Sequence, residues 1–339
     1  MVWLWCVFFA LLLEERWRMT GPHLRPTTPG RHTTGGRPTA TARSGADDGD
    51  AMHRGTAELA LPSGAAGRDH VVAAEWWFPD GDELGVVWLQ HGFARQPRHL
   101  AGLAAVLAAE VSAVVVVPAI SSRFATASGY WINGHRMHDA IARLFGEDRR
   151  RLEASAAAAS GHQRTALPEP FVLAGHSAGG NLAAAVAGRT VAIEHAGGLA
   201  VDTLKGVVML DGVDRGGAIG VALDQLTGMH DRPVWTIAAP DGRCNAGGRG
   251  TALLQGARPG RFVGVRLAGG THLDAEGTGS GHIARLACGA PPTENVDALR
   301  ALAVDWITHL LADSPGDARL AGTKAGTTSM VGDARATTL

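Results

Sequence analysis

Short apolar runs alternate with longer Ala- and Leu-rich stretches between about residues 54 and 313. Two of the runs, VVVV at 114–117 and VVML at 207–210, are apolar without interruption. Uninterrupted runs of this length are typical of parallel strands that are covered on both faces. The predicted strands span residues 71–78, 85–90, 113–118, 171–174, 206–210, 233–238 and 261–267.

Helical stretches lie between these strands, at about residues 99–110, 181–189, 250–255 and 293–312. In the last of them, four apolar residues fall on one stripe, as is typical of a helix with one buried face. They are Leu299, Leu302, Trp306 and Leu310. The alternation of strands and helices predicts the α/β class, with a mostly parallel central sheet and helices on both faces.

Both ends of the chain depart from this pattern. Residues 20–53 and 314–339 contain almost no large apolar side chain and are rich in small and turn-forming residues. Such segments cannot bury enough surface to offset the entropy of folding, which predicts disorder. The sequence therefore predicts a disordered arm at 1–53, one domain at 54–313 and a disordered tail at 314–339.

The arm begins with an apolar run at residues 1–13, which is too short to span a bilayer comfortably. A secretory signal carries its basic residues before the apolar run, whereas Arg16 and Arg18 follow it here. The compartment stays open. We favour the cytoplasm, with export or membrane tethering by residues 1–13 as the alternative.

Composition and charge exclude some classes of partner. Hydrophobic residues make up 45% and charged residues 19% of the 339 positions, enough for a large core. The formal net charge of −1, from 31 basic and 32 acidic residues, removes the electrostatic case for binding nucleic acid or an anionic membrane. Nothing in the pattern indicates an obligate protein partner.

The three cysteines, Cys6, Cys244 and Cys288, are too few for a disulfide framework and lack the CxxC spacing of zinc and redox sites. We favour free buried thiols for Cys244 and Cys288. A bridge between these two is the alternative if the protein is exported.

The most informative segment is the G-x-S-x-G pattern that runs from Gly175 to Gly179, between a predicted strand and a predicted Ala-rich helix. A sharp strand-to-helix turn needs nearly bare residues two positions before and two after its centre, which the glycines supply. The turn lifts the Ser177 hydroxyl out of the sheet and makes it the candidate nucleophile. The alternative, a Gly-rich turn without chemistry, is disfavoured by the flanking strand and helix.

An earlier apolar strand ends in His91-Gly92-Phe93. The order of strand, HG-x, helix, G-x-S-x-G and late histidine resembles the α/β-hydrolase superfamily over most of the domain. The resemblance implies the α/β-hydrolase fold, without a large cap domain. It also implies an oxyanion hole made by the backbone N–H groups of Phe93 and Ala178, with His91 in a structural role.

The general base is expected after the final strand. There, the strand at 261–267 runs into a loop of small residues that presents His272. His282 is the nearby rival, and we assign it to the surface or to the support of the site.

The triad acid is expected between the serine and the histidine in the chain, and two candidates follow strands: Asp211 and Asp241. The segment from Leu210 to Val213 resembles the L-D-P-V segment of chlorophyllases, with Gly in place of Pro. An acid that orients an imidazole works best when it is fixed and partly buried at a strand end. We favour Asp211, with Asp241 as the alternative acid.

These residues predict hydrolysis of a carboxylic ester through an acyl-enzyme on Ser177, chemistry that needs no cofactor. Thioesterase, amidase and acyltransferase activities of the same triad are the alternatives, followed by a non-catalytic binding module. The resemblance to chlorophyllases and to cutinase-like polyester hydrolases implies a small-molecule or lipid-like ester as the substrate.

Substrate-binding residues are less well defined. Tyr130 and Trp131, in a predicted loop, are candidates to line a substrate groove, and packing beneath that loop is the alternative. His176, next to the candidate nucleophile, is a third candidate. His135 and His138 have the spacing of some metal sites, but no third ligand is near them in the sequence, so we predict no metal.

Overall fold

The computed structural model describes residues 53–63, 67–123, 129–197, 202–312 and 318–339. The predicted arm lies outside these residues except for His53. Its disorder, and any tethering role of residues 1–13, therefore stay predictions.

One sheet of ten strands runs through the described residues. The strands are β1 (His53–Leu61), β2 (His70–Phe78), β3 (Gly85–Gln90), β4 (Ala113–Pro118), β5 (Phe171–His176), β6 (Leu204–Leu210), β7 (Val234–Ala238), β8 (Gly264–Leu267), β9 (Thr328–Val331) and β10 (Ala334–Thr338). They lie in the order β1-β2-β4-β3-β5-β6-β7-β8-β10-β9. The six strands from β4 to β8 in this order pair in parallel, and the remaining pairs are antiparallel.

Helices connect the parallel strands and cover both faces of the sheet. They are α1 (Ala101–Val111), α2 (His135–Gly146), α3 (Arg149–Ala159), α4 (Ala178–Gly197), α5 (Ala218–Gln225), α6 (Arg249–Ala257), α7 (His282–Cys288) and α8 (Thr293–Leu311). The predicted α/β architecture, a mostly parallel central sheet with helices on both faces, is confirmed. Among the described residues no helix combines the length and the apolarity needed to traverse a bilayer.

Two hydrophobic cores lie on opposite faces of the sheet, because successive side chains of a strand alternate between its faces. On β3, Val86 and Trp88 belong to the core that α2, α3 and α4 cover, whereas Val87 and Leu89 belong to the core under α1 and α8. Burial on both faces explains why the central strands are apolar throughout. It also explains why the sequence pattern identified β3, β4 and β5, in which every residue is buried.

The C-terminal segment differs from the prediction. Strands β9 and β10 form a hairpin, and β10 pairs with β8, with Ala336 opposite Leu267. Ala336 is fully buried and Val331 is 2% exposed. The predicted disorder at 314–339 is therefore wrong for residues 318–339. An edge hairpin covers only one face, so small residues such as Ala and Thr suffice there, and their low hydrophobicity concealed the strands.

The interpretation of Cys244 and Cys288 as free thiols is also wrong. The two residues form a disulfide across 44 positions, with their Cα atoms 5.8 Å apart. The bridge joins the loop that follows β7 to the last residue of α7. It therefore links two segments that leave the carboxyl ends of neighbouring strands.

Candidate active site

The predicted sharp turn at Ser177 is present between β5 and α4. Ser177 has a φ of 56°, a left-handed conformation that residues other than glycine adopt at a cost of about 1–3 kcal/mol. A Cβ atom on Gly175 would lie 2.2 Å from the Gly179 carbonyl oxygen, and one on Gly179 would lie 2.2 Å from that of Gln90. Only glycine at both positions lets the strand and the helix approach this closely.

The backbone of Ser177 is fixed by the last residue of β6 and by the segment after it. Its N–H donates to the Leu210 carbonyl oxygen at 3.1 Å, and its own carbonyl oxygen accepts from the Val213 N–H at 3.0 Å. On its other side a Cβ atom on Gly92 would lie 3.0 Å from the Ser177 Cβ. The segment after β3 therefore passes directly against the serine.

The two predicted oxyanion donors lie on the segments that contact Ser177. Phe93 follows Gly92 directly and is partly buried against the core. Ala178 is the first residue of α4, where a backbone N–H has no acceptor within the helix. The next residue after Phe93 is also fixed, because the Ala94 N–H donates to Ser122 Oγ at 2.7 Å.

The carboxylate of Asp211 contacts the His272 ring. His272 Nδ1 donates to Asp211 Oδ2 at 2.6 Å, across 61 positions of the chain. Asp211 follows β6 directly and is 5% exposed, and its backbone N–H donates to the Ile237 carbonyl oxygen at 2.9 Å. The favoured acid and the favoured base thus lie together at the carboxyl end of the sheet.

Asp241, the alternative acid, points elsewhere. Its carboxylate is 56% exposed and accepts a hydrogen bond from Arg266 Nη2 at 2.9 Å. The competing histidine, His282, lies at the exposed start of α7. His91 is buried and its Nδ1 donates to the Gly92 carbonyl oxygen at 2.9 Å, as its structural role requires. Burial lowers the pKa of His91 to about 4, so its ring is neutral near pH 7.

Asn245 supports the acid, a role that the sequence did not reveal. Its Nδ2 donates to Asp211 Oδ1 at 3.3 Å and to the Pro240 carbonyl oxygen at 3.0 Å. The Ala239 N–H also donates to Asp211 Oδ1, at 3.2 Å. Both carboxylate oxygens are therefore held, one by the imidazole and the other by the loop after β7.

The loop that carries His272 is tied down by a buried carboxylate. Asp274 accepts hydrogen bonds from the Thr271 N–H and the Thr271 hydroxyl, each at 3.0 Å. Burial raises the pKa of Asp274 to about 6, although both bonds from Thr271 act in the opposite direction. A cavity of about 10 Å³ lined in part by His272 and Asp211 has room for at most about one water molecule.

His176 is not placed to contact a substrate. Its side chain is 2% exposed, and its Nε2 lies 2.7 Å from the His272 carbonyl oxygen. Tyr130 and Trp131 are partly buried and pack against the core, and the Tyr130 ring stacks on that of His70 with the centroids 4.6 Å apart. These contacts agree with packing beneath the loop, the alternative that the sequence left open.

The His135–His138 pair has other partners. His138 is buried and its Nε2 donates to the Ile132 carbonyl oxygen at 3.0 Å, while His135 Nδ1 lies 3.1 Å from Arg189 Nη2. Within the described ranges, no group of three His, Cys, Asp or Glu side chains is placed to hold a metal ion.

Comparison with known proteins identifies distant structural likenesses. Neither a protein-family model nor a curated protein matches the chain. Carboxyl esterase 2 (TmelEST2) of the fungus Tuber melanosporum is similar at 15% identity, over 79% of this chain and 89% of that chain, with a TM-score of 0.49. An esterase of Pyrobaculum calidifontis is similar at 17% identity, over 74% and 85%, with a TM-score of 0.44. EstE1, a carboxylesterase cloned from a metagenomic library, is similar at 16% identity, over 77% and 90%, with a TM-score of 0.44.

Proposed function

We propose that this protein is a serine hydrolase that cleaves carboxylic esters through an acyl-enzyme on Ser177. One observation carries the proposal: the 2.6 Å contact of Asp211 with His272, at the same sheet end as a serine held at a φ of 56°. A strained serine and a buried carboxylate each cost stability. Nucleophilic catalysis is the chemistry that uses both.

His272 is the general base of this mechanism. Because its Nδ1 donates to Asp211, its Nε2 is left unprotonated and accepts the proton of the Ser177 hydroxyl. Ser177 Oγ bonds to the ester carbonyl carbon, and the imidazolium then protonates the departing alkoxide so that an alcohol leaves. Water then gives a proton to the same imidazole and bonds to the acyl carbon. As this second intermediate collapses, the acid leaves and the imidazolium returns the proton to Ser177 Oγ, which restores both residues.

The oxyanion of each tetrahedral intermediate accepts hydrogen bonds from the N–H groups of Phe93 and Ala178. The positive end of the α4 dipole adds to their effect. One such donor is typically worth about 3–4 kcal/mol of transition-state stabilisation. The backbone hydrogen bonds of Ser177 and the close approach of Gly92 to it support this assignment.

A small-molecule or lipid-like ester is the proposed substrate. The connection from Asp211 to β7 contains one α-helix, α5, of eight residues. That connection is therefore too short to contribute a cap domain, and a site left open on this side admits esters of bulky acids. No step of this mechanism requires a cofactor.

The experiment that tests the proposal compares nitrophenyl esters of increasing acyl length as substrates for the wild type, Ser177→Ala and Ser329→Ala. Ser177→Ala is expected to lower kcat by about 10⁴–10⁶-fold with its thermal unfolding unchanged. Ser329, on the edge strand β9, serves as the matched control and should leave kcat at the wild-type value. Retention of more than about a tenth of the activity by Ser177→Ala would refute the proposed nucleophile.

A further inference from the structure

His176 joins the nucleophile to the loop of the base. It is the last residue of β5, next to Ser177, and its ring is almost completely buried. Its Nε2 lies 2.7 Å from the carbonyl oxygen of His272, and a carbonyl oxygen only accepts. The hydrogen is therefore on Nε2, and the ring donates across 96 positions of the chain.

A buried ion pair links the same loop to the segment that carries Phe93, a proposed oxyanion donor. Arg95 Nε donates to Glu276 Oε1 at 2.8 Å, and Arg95 Nη2 donates to Glu276 Oε2. The two side chains are 8% and 0% exposed. Arg95 follows Phe93 by two positions and Glu276 follows His272 by four, so the pair connects the segments that carry the proposed oxyanion donor and the proposed base.

His176 lies between these two partners. Its Nδ1 is 3.4 Å from Glu276 Oε1, and its ring centroid is 4.8 Å from that of His272. Burial, aided by the nearby His272, lowers the pKa of His176 to about 3, so the ring is neutral near pH 7 and its contact with Glu276 is not an ion pair. Nδ1 has no hydrogen-bond partner among the described residues. The single bond from this ring therefore goes to the backbone of the base.

Stability alone does not account for this arrangement. Replacing a buried ion pair by apolar side chains of similar volume is often neutral or stabilising, because burying two charges costs about as much as their attraction returns. What the pair and the ring supply is a fixed relation between three segments that are far apart in the sequence. A displacement of about 1 Å at a catalytic group can lower the rate 100-fold.

We infer that His176 is a positioning residue, which holds the His272 backbone against the turn at Ser177. The Arg95–Glu276 pair holds the same loop against the segment that carries Phe93. The inference rests on the proposed function. It assigns His176 a part in the rate without contact to the substrate, in place of the substrate-binding role that the sequence suggested.

The test compares His176→Gln with His176→Met in nitrophenyl ester hydrolysis. The Gln Nε2 occupies nearly the position of the histidine Nε2 and keeps the donor, whereas Met fills similar space without one. His176→Met is expected to lower kcat at least about tenfold with KM within about threefold of the wild type, and His176→Gln to restore kcat to within about threefold. A folded His176→Met with the wild-type kcat overturns the inference, and so does a His176→Gln as slow as His176→Met.

If His176→Met fails to fold, two further measurements test the positioning role: the kcat of a double variant and the tautomer of the His176 ring. The double variant Arg95→Met/Glu276→Leu replaces the ion pair by apolar side chains and should fold, with kcat lowered at least about tenfold. A wild-type kcat in this folded variant would show that the loop needs no such support.

The tautomer of His176 is read in the unmodified protein. In ¹⁵N spectra of histidine-labelled protein, the signal that disappears in His176→Gln should be that of a neutral ring with its proton on Nε2. A proton on Nδ1 overturns the inference. Because this readout needs no catalysis, it separates the two failures: a wild type that cleaves no ester contradicts the proposed function, and a wrong tautomer contradicts the positioning role.

Discussion

Asn245 Nδ2 lies 3.3 Å from Asp211 Oδ1, the carboxylate oxygen that does not contact His272. The asparagine is itself fixed, because its Oδ1 accepts from the Gly242 N–H at 2.8 Å and from the Gly248 N–H at 3.2 Å. The loop after β7 thus orients the acid through one amide side chain. The disulfide begins at the residue just before it.

Loss of this amide should lower the rate. We expect Asn245→Ala to reduce kcat by about 10- to 100-fold, because a hydrogen bond to a charged group is worth about 1.5–3 kcal/mol. Steady-state kinetics on a nitrophenyl ester, with thermal unfolding of the same sample, measures both quantities. An unchanged kcat in the folded variant would mean that the remaining contacts orient Asp211 without help.

Substitution of the two candidate acids should give unequal results. Asp211→Asn is expected to lower kcat by about 10⁴-fold, since an amide favours the wrong tautomer of the His272 ring. Asp241→Asn is the matched control and should stay within a few-fold of the wild type, because that carboxylate is 56% exposed and pairs with Arg266. If the two variants rank in the opposite order, the acid has been misassigned.

The disulfide should contribute to stability. Closing a loop across 44 positions lowers the entropy of the unfolded chain, which corresponds to about 2–4 kcal/mol. We expect Cys244→Ser/Cys288→Ser to unfold at a correspondingly lower urea concentration, and reducing agent to shift the wild type to the same midpoint. A midpoint that responds to neither change would contradict a structural role for the bridge.

Stability should fall in mild acid. Four buried histidines have lowered pKa values with burial as the largest cause, about 4 for His91 and His138 and about 3 for His99 and His176. Unfolded histidines bind protons below about pH 6.5, whereas these folded rings resist protonation until pH 3–4. The unfolded state thus binds more protons in this interval, and the free energy of unfolding decreases as the pH falls through it.

Asp274 acts in the opposite direction, because its raised pKa of about 6 gives the folded state the greater proton affinity between pH 4 and 6. Burial also raises the pKa of Glu194 and lowers that of a fifth histidine, His70. Two carboxyl groups therefore oppose five histidines, so the histidines should prevail. Urea unfolding from pH 7 to 4 measures the slope, and His138→Gln, which keeps the donor to the Ile132 carbonyl oxygen, should make it shallower. A slope that His138→Gln leaves unchanged would contradict the assignment of His138 as neutral in the fold.

The central strands could be predicted from sequence because burial on both faces makes them apolar throughout, as in the run from Val114 to Val117. The edge strands could not. Strand β1 has only one covered face. Strands β9 and β10 also bury only one face, and that burial depends on β8 pairing with β10. Low hydrophobicity in a terminal segment is therefore a poor guide to disorder when a sheet edge is free to pair.

The candidate site divides along the same physical line. Ser177 stands in a local motif because its turn constrains the residues two positions away, and His272 follows a strand that could be recognised. The sequence favoured Asp211 but left Asp241 open, because the choice depends on which of the two carboxylates contacts the His272 ring. The partners Asn245 and Glu276 act at separations of 34 and 181 residues from Asp211 and Arg95, and no local pattern marks such contacts.

Covalent labelling shows whether Ser177 is an activated nucleophile. Folded protein is treated with a fluorophosphonate probe, digested, and the modified peptide is identified by mass spectrometry. We expect one probe molecule per chain, attached to Ser177, with none on Ser177→Ala and none on denatured protein. Folded wild type that takes up no probe, or that carries it equally in Ser177→Ala, would contradict this expectation.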